Sequence, residues 1–215
     1  MATGYWNHNV HYHRVVLDAV PADCRTALDV GCGDGGLASE LARLVGSVTG
    51  VDRSGEMIRL ARERRPARVA FVQADFLVEG SVDHLAPESY EFVTAVAVVH
   101  HVGFERAVRA MVRLLAPGGR LVIIGLARNR TPLDWVVSGA GLPVARIRAR
   151  LHGGKTAPAG MPVRPPDLAW GEARREARRL LPGCRYRRRL LWRYSVVWDK
   201  PAASENPVRG GREGP

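Results

Sequence analysis

Residues 27–36, Ala-Leu-Asp-Val-Gly-Cys-Gly-Asp-Gly-Gly, constrain this chain more than any other stretch. An apolar run carrying Asp29 leads into glycines at 31, 33 and 35, and Leu37, Leu41 and Leu44 then recur at helical spacing. The pattern predicts a strand, a tight glycine turn and a helix, with a loop stripped of side chains so that a ligand can lie against backbone. Asp29 stands two residues before the first glycine, where it faces a ligand bringing positive charge and hydroxyls.

The glycines alone leave two cofactor classes open. Gly31, Gly33 and Gly36 satisfy G-x-G-x-x-G, and Asp52 lies 21 residues beyond Gly31, where a dinucleotide enzyme places its ribose-binding acid. Two acids favour the other class. A pyrophosphate would repel a carboxylate at Asp29, and Asp75 ends a third apolar run, where an adenine amino group needs an acceptor. With these residues the segment resembles motif I of the class I S-adenosylmethionine-dependent methyltransferases, small-molecule type, and the resemblance runs to about residue 200. An NAD(P)-dependent oxidoreductase remains the less favoured reading.

The rest of the chain alternates in the manner of an α/β fold. Strands are expected at 26–31, 47–52, 69–73, 92–99 and 121–126. Helices are expected at 5–20, 36–45, from an N-cap at Ser54 to Pro66, and 104–115, the last stopped by Ala-Pro-Gly-Gly at 116–119. After residue 127 the rhythm breaks into a Pro- and Gly-rich stretch with short turns near 132–138 and 142–151. A helix over 167–181 and strands at 185–191 and 193–199 follow. The expected architecture is a single Rossmann-like methyltransferase domain. It has a seven-stranded, mostly parallel sheet with a C-terminal antiparallel hairpin and helices on both faces. The expected parts are an N-terminal lid helix (1–25), a cofactor-binding core (26–127) and a variable substrate lid (128–166). A closing helix and hairpin (167–200) and a disordered tail (201–215) complete the chain.

The resemblance implies roles for named residues. Gly31, Cys32, Gly33 and Gly35 would give the donor close backbone approach, and Asp29 would act near its methionine end. Asp52, with Arg53 beside it, would take the ribose hydroxyls. Asp75 and Phe76 would meet the adenine, with Ala97 across the crevice. Asp34 departs from the family pattern, which has small hydroxyl residues or proline there; its carboxylate would favour the sulfonium or face solvent. The reaction implied is in-line displacement from a sulfonium, leaving S-adenosylhomocysteine, with a base required only if the acceptor loses a proton. Candidates for that base, or for lining the acceptor chamber, are His11, Tyr12 and His13 near the N-terminus and His100 and His101 after the fourth strand. Core packing competes with each of these roles. Tyr5, Trp6, Trp135, Leu142, Ile147 and Met161 are further candidates for the acceptor chamber.

Other features exclude function classes. No [DNS]-P-P-[YFW] motif, no Pro-Cys nucleophile and no Asp-Asn pair after strand five is present. Base-amino, pyrimidine-carbon and magnesium-dependent catechol methylation therefore lose support, and a small-molecule acceptor remains. Three widely spaced cysteines and no C-x-x-C pair argue against a disulfide framework or a zinc site. No metal is expected. No apolar run approaches the roughly 20 residues that span a bilayer, and the opening residues carry no secretory apolar segment, so a cytoplasmic protein without a membrane partner is expected. The net charge of +11 raises a nucleic-acid reading, with Arg174, Arg175, Arg178, Arg179, Arg185, Arg187 and Arg189 as its face. Of 32 basic residues only Lys155 and Lys200 are lysine, a skew that GC-rich coding produces without selection for RNA. A monomer or homodimer is expected.

Overall fold

In a computed structural model of the chain, residues 9–64, 66–79, 85–139 and 165–202 are described. Seven strands form one sheet in the order β3-β2-β1-β4-β5-β7-β6. They are β1 (Thr26–Val30), β2 (Ser47–Asp52), β3 (Val69–Gln73), β4 (Tyr90–Val96), β5 (Leu115–Leu126), β6 (Arg185–Arg188) and β7 (Arg193–Asp199). The first five are parallel where they pair, and β7 runs antiparallel to both β5 and β6. The helices are α1 (His13–Leu17), α2 (Gly36–Leu41), α3 (Gly55–Glu63), α4 (Val99–Val102), α5 (Phe104–Leu114), α6 (Pro132–Gly139) and α7 (Trp170–Leu180).

Apolar runs without alternation give a sheet buried on both faces, because neighbouring residues enter opposite cores. Leu28, Val93, Leu121 and Ile123 pack with α5 and α7, against Phe104, Met111 and Trp170. Ala27, Phe92, Val122 and Ile124 pack on the other face, with Tyr12, Val16, Leu37, Leu41 and Ile58. In α5, Phe104, Ala107, Val108, Met111 and Leu114 return to one face at the helical period and are all buried. Ser54 caps α3 as its sequence suggests, its hydroxyl accepting from the Met57 N–H at 3.3 Å.

Several boundaries differ from those expected. The N-terminal helix is a 3-10 turn at Val10–Tyr12 followed by one α-turn, and α2 ends at Leu41. Strand β4 stops at Val96, since Ala97 takes φ +58° and turns the chain into α4. The histidines therefore lie on a short helix and do not close the strand. The helix α5 stops at Leu114, as Ala-Pro-Gly-Gly signals, but that stretch is not a free connection. It is carried inside β5 as an irregularity, with the register shifting between Tyr90 and Phe92 and with Gly118 and Gly119 bonded to Lys200. The tip of the last hairpin takes Arg189 to Trp192 out of the ladder, so β6 is four residues long. The expected turn at 142–151, Tyr5, Trp6, Leu142, Ile147, Met161 and the tail beyond Ala202 lie outside the described residues.

The order of strand addition reverses at β1, which leaves β2 and β3 on one side of it and β4 on the other. Open α/β sheets hold ligands at the carboxyl edge of such a switch point.

Candidate functional site at the carboxyl edge of the first strands

The loop from Gly31 to Gly35 leaves β1 at that switch point. The Gly31 and Cys32 N–H groups both donate to the Val51 carbonyl, at 2.8 and 3.0 Å, and the Gly35 N–H donates to the Cys32 carbonyl at 3.0 Å. Gly31, Gly33 and Gly35 all have positive φ. Gly31 has a second reason to be glycine: a Cβ there would come within 2.3 Å of a Val98 methyl from the turn after β4. The crevice between β1 and β4 is therefore closed to side chains at its narrowest point.

Asp52 at the end of β2 braces this loop. Its Oδ2 accepts from the Gly33 N–H at 3.0 Å and its Oδ1 from the Ser54 N–H at 2.9 Å. Each oxygen keeps a further lone pair, so bracing the loop and accepting ligand hydroxyls are compatible. Asp75, beyond β3, accepts from the Leu77 N–H at 3.0 Å. Arg53 is exposed, and its carbonyl accepts from the Gln73 amide at 3.3 Å. The Phe76 side chain packs in the core with Leu28, Val30 and Val99, leaving its backbone as what it presents to the crevice edge. Ala97 donates its N–H to the Ile124 carbonyl at 2.8 Å, which ties the turn after β4 to β5.

Asp29 is the anomaly of the site. It is 2 % exposed, and its Oδ2 has no hydrogen-bond partner. Burial above all, then the nearby Asp52 charge, push its pKa up to about 8 against the opposing Ala38 N–H, with Asp34 adding a smaller upward push. An acid that ionises near 3.8 in the unfolded chain and near 8 in the folded one makes the protein less stable as pH rises across that window. Asp29→Asn, which keeps the shape without the titration, should flatten this slope and raise the Tm of the free protein at pH 8. Thermal unfolding from pH 5 to 8.5 reads it, and an unchanged slope in the variant would remove Asp29 as the cause. The same burial, then Asp29 and Asp52, raises the Cys32 thiol well above its ordinary value, so it is held as an inert small side chain.

Asp34 reaches neither solvent nor the crevice as a free carboxylate. It is 8 % exposed and bonded to Arg64 beyond α3, whose Nε also donates to the Asp34 carbonyl at 2.6 Å.

The candidate bases divide. Tyr12 is 3 % exposed in the core beside Leu191, and its hydroxyl donates to the Leu190 carbonyl at 2.5 Å. His13 is buried with Nδ1 3.3 Å from Glu40 of α2, and His11 lies edge-on to Tyr12. His100 is 8 % exposed and stacks obliquely on His101, with ring centroids 4.1 Å apart. The structure thus puts the N-terminal group against α2 and the hairpin tip, and the pair on α4 beside the turn after β4. No group of His, Cys, Asp and Glu able to hold a metal occurs among the described residues.

Beyond β5 an ordered polar network anchors α6. Asp134 accepts from the Arg130 and Thr131 N–H groups and from Arg188 at 2.8 Å. Burial opposes its charge, but the backbone donors, the Thr131 hydroxyl and the Arg188 guanidinium outweigh it and hold the carboxyl down at about 2. The Arg188 guanidinium also lies 4.0 Å over the Trp170 ring. Asn129 Oδ1 accepts from Trp170 Nε1 at 2.9 Å and from Ser138 Oγ at 2.8 Å. Sequence reading passed over Trp192, at the hairpin tip. Leu191 and Trp192 have φ of +56° and +58°, the pattern of a type I′ turn that Asn-Gly ordinarily fills. Two bulky residues there cost about 1–3 kcal/mol each, and nothing in a Leu-Trp pair signals such a turn.

The arginines proposed as a nucleic-acid face do not share one. Tyr186 and Arg188 of β6 turn toward α7, with the Tyr186 hydroxyl near the Trp170 carbonyl and Arg188 over the Trp170 ring. The alternating Arg185 and Arg187 therefore face the opposite side of the sheet from Arg174 and Arg178. Arg179 is bonded to Glu105 and Glu176, and Arg189 to Ser195.

Comparison with known proteins agrees with this geometry. The chain matches a methyltransferase-domain family over residues 28–123. It is similar, at 32 % identity over 205 residues, to an uncharacterized methyltransferase of Mycobacterium tuberculosis, covering 91 % of this chain and 98 % of that one. A ubiquinone biosynthesis O-methyltransferase of Xanthomonas oryzae is 39 % identical over 128 residues, 57 % of this chain and 52 % of that protein. Among solved structures, a SAM-dependent methyltransferase from Methanosarcina mazei superposes with a TM-score of 0.58 at 19 % identity, covering 88 % of this chain and 98 % of that one. The [4+2]-cyclase SpnF superposes with a TM-score of 0.63 at 17 % identity, covering 94 % and 89 %. The structural likenesses establish the fold alone, and a fold shared with a cyclase does not dictate a reaction. The full-length relative does what the fold cannot: this chain is an enzyme of the methyltransferase-domain family.

Proposed function

We propose that the protein transfers a methyl group from S-adenosylmethionine to an oxygen, nitrogen or nucleophilic carbon of a small molecule. The donor would lie in the crevice between β1 and β4 and the acceptor beyond the ends of β4 and β5. The observation that carries the reading is the unpartnered Oδ2 of Asp29, buried at the base of a glycine loop that Asp52 braces. A buried carboxylate oxygen without a partner fits a ligand that brings cations, and S-adenosylmethionine brings an ammonium and a sulfonium. A pyrophosphate would meet the Asp52 carboxylate as a like charge and would give the buried Asp29 no reason to ionise, which disfavours a dinucleotide.

When bound, S-adenosylmethionine supplies an activated methyl group, so the protein's task is approach geometry and exclusion of water. In this reading Asp29 holds the cationic end and Asp52 the ribose hydroxyls. Asp75 accepts from the adenine amino group, and Gly31 keeps the floor of the crevice clear. His100 and His101, at the turn after β4, line the acceptor side. The small-molecule class draws support from the O-methyltransferase relatives, of which the chain spans about half the length. Three free thiols suit a reducing compartment, and no described helix is long and apolar enough to cross a membrane.

Calorimetry tests the reading. S-adenosylhomocysteine should bind, NADH should not, and at pH 7 complex formation should release a proton as Asp29 ionises beside the ammonium. Titration in two buffers of different ionisation enthalpy counts that proton. Tighter binding of NADH would transfer the site to the oxidoreductases, and binding with no proton exchanged would remove Asp29 from contact with the cation.

A further inference from the structure

A cleft of about 280 Å³ opens beyond β5, beside the crevice just described. Its position follows from the register: Leu126 pairs with Arg193, so the tip of the β6–β7 hairpin projects past the carboxyl end of β5. The β4 turn is tied to the same strand through Ala97 and Ile124. The cleft is lined by Leu126, Ala127 and Pro166, by Trp135 of α6 and Trp192 of the hairpin tip, and by Asn129 and the exposed Arg128. Trp135 is 66 % exposed, far from the burial that a core tryptophan reaches.

Two features say what would sit there. First, Trp192 is placed by a turn in which both central residues are left-handed and neither is glycine or asparagine. Leu191 is held by the core, and Arg193 by Asn9 and by the Leu191 carbonyl. The hairpin therefore keeps an indole at the cleft in a conformation that its own backbone disfavours. Second, the amide of Asn129 is oriented unambiguously. The indole N–H of Trp170 can only donate, so the atom it meets is Oδ1, and the Ser138 hydroxyl donates to that same oxygen. What Asn129 has left for the cleft is an NH₂ donor, with no charge.

We propose that this cleft is the acceptor's resting place, and that it takes a flat aromatic ring system bearing an oxygen substituent. Trp192 and Trp135 provide the stacking walls, and the Asn129 amide donates to the oxygen. The proposal rests on the methyltransferase reading for the word acceptor, while the cleft's preference for such a ring stands on its lining alone. Trp192 thereby acts as a specificity-determining residue, and Asn129 orients the ring.

The test uses 2-naphthol as probe, titrated calorimetrically into the full chain with and without S-adenosylhomocysteine. Wild-type protein should bind it. Trp192→Gly should weaken 2-naphthol binding tenfold or more with S-adenosylhomocysteine affinity changed less than twofold, and Trp192→Phe should stay within threefold of wild type. Glycine adopts the left-handed turn freely, so the Tm of Trp192→Gly should equal or exceed that of the wild type. That separates a binding role from a structural one. Decahydro-2-naphthol, of like size without the aromatic faces, should bind at least fivefold more weakly than 2-naphthol. The proposal is overturned if 2-naphthol does not bind at millimolar concentration, or if Trp192→Gly binds it like wild type. It is also overturned if the saturated alcohol binds equally well. Failure of S-adenosylhomocysteine to bind wild-type protein would instead overturn the functional reading, with the naphthol titration still judging the cleft.

Discussion

Replacing Asp52 with alanine is expected to lower affinity for S-adenosylhomocysteine about a hundredfold or more. Two effects add. The ligand loses charge-assisted hydrogen bonds from its ribose hydroxyls, each worth roughly 1.5–3 kcal/mol. The Gly33 and Ser54 N–H groups, at 3.0 and 2.9 Å from the carboxylate, also lose the acceptor that braces the loop. Asp52→Asn divides these effects, because an amide keeps one acceptor oxygen for the backbone but presents donors to the other side. Its affinity should fall between those of wild type and Asp52→Ala. Calorimetry with thermal unfolding as the control for folding measures both variants. An alanine variant that binds within threefold of wild type would end the assignment of this carboxylate to the donor.

The second large effect concerns stability. Gly125 in β5 lies opposite Tyr194 in β7, and a Cβ on Gly125 would stand 2.1 Å from the tyrosine ring. Tyr194 is 1 % exposed, stacked on Tyr186 at 5.2 Å and tilted against Phe104, so its ring has no room to move aside. Gly125→Ala should therefore destabilise the protein by about 3 kcal/mol or more, at or beyond the usual range for overpacking. That is a large share of a net stability of roughly 5–15 kcal/mol. Tyr194→Ala alone should cost a comparable amount by leaving a cavity. The two changes together should cost clearly less than their sum, because the alanine methyl enters space the ring has vacated. Denaturant unfolding of the four proteins of this cycle checks it, and additive losses would show that the ring and the glycine do not share the space assigned to them.

The fold was written in the chain at the level of its periodicities. Strands β1 to β5 and β7 and the helices α3, α5 and α7 all coincide with apolar runs or amphipathic repeats, and Ser54 caps α3 as a local rule requires. Boundaries moved where a tertiary contact overrode a local signal. Ala116–Gly119 stops α5 as it reads, yet it is itself absorbed into β5 because Lys200, just after β7, supplies partners for its backbone. Residues 97–99 read as the end of a strand, yet the chain leaves the sheet at Ala97, which turns at φ +58° with its N–H bonded to β5, and Val99 opens a short helix.

The candidate site divides in the same way. Which residues stand at the carboxyl edge of the strands was legible, since the positions of Asp29, the glycines, Asp52 and Asp75 follow from where each strand ends. That Asp29 is buried without a partner for Oδ2, and so ionises near pH 8, depends on how Asp52 and α2 close around it; no spacing in the chain encodes that. Asp34 is bonded to Arg64 thirty residues away, and Tyr12 to the hairpin tip across 178 residues, pairings that a linear pattern has no means to express. Trp192 was invisible for a further reason: a Leu-Trp turn violates local preference, and only the core's hold on Leu191 and on Arg193 keeps it in place. Local chemistry thus determined the alternation of elements and the acids that end them. The packed sheet decided which carboxylate is starved of water, which glycine faces a ring and which indole overlooks the cleft, because burial and contact belong to the assembled chain.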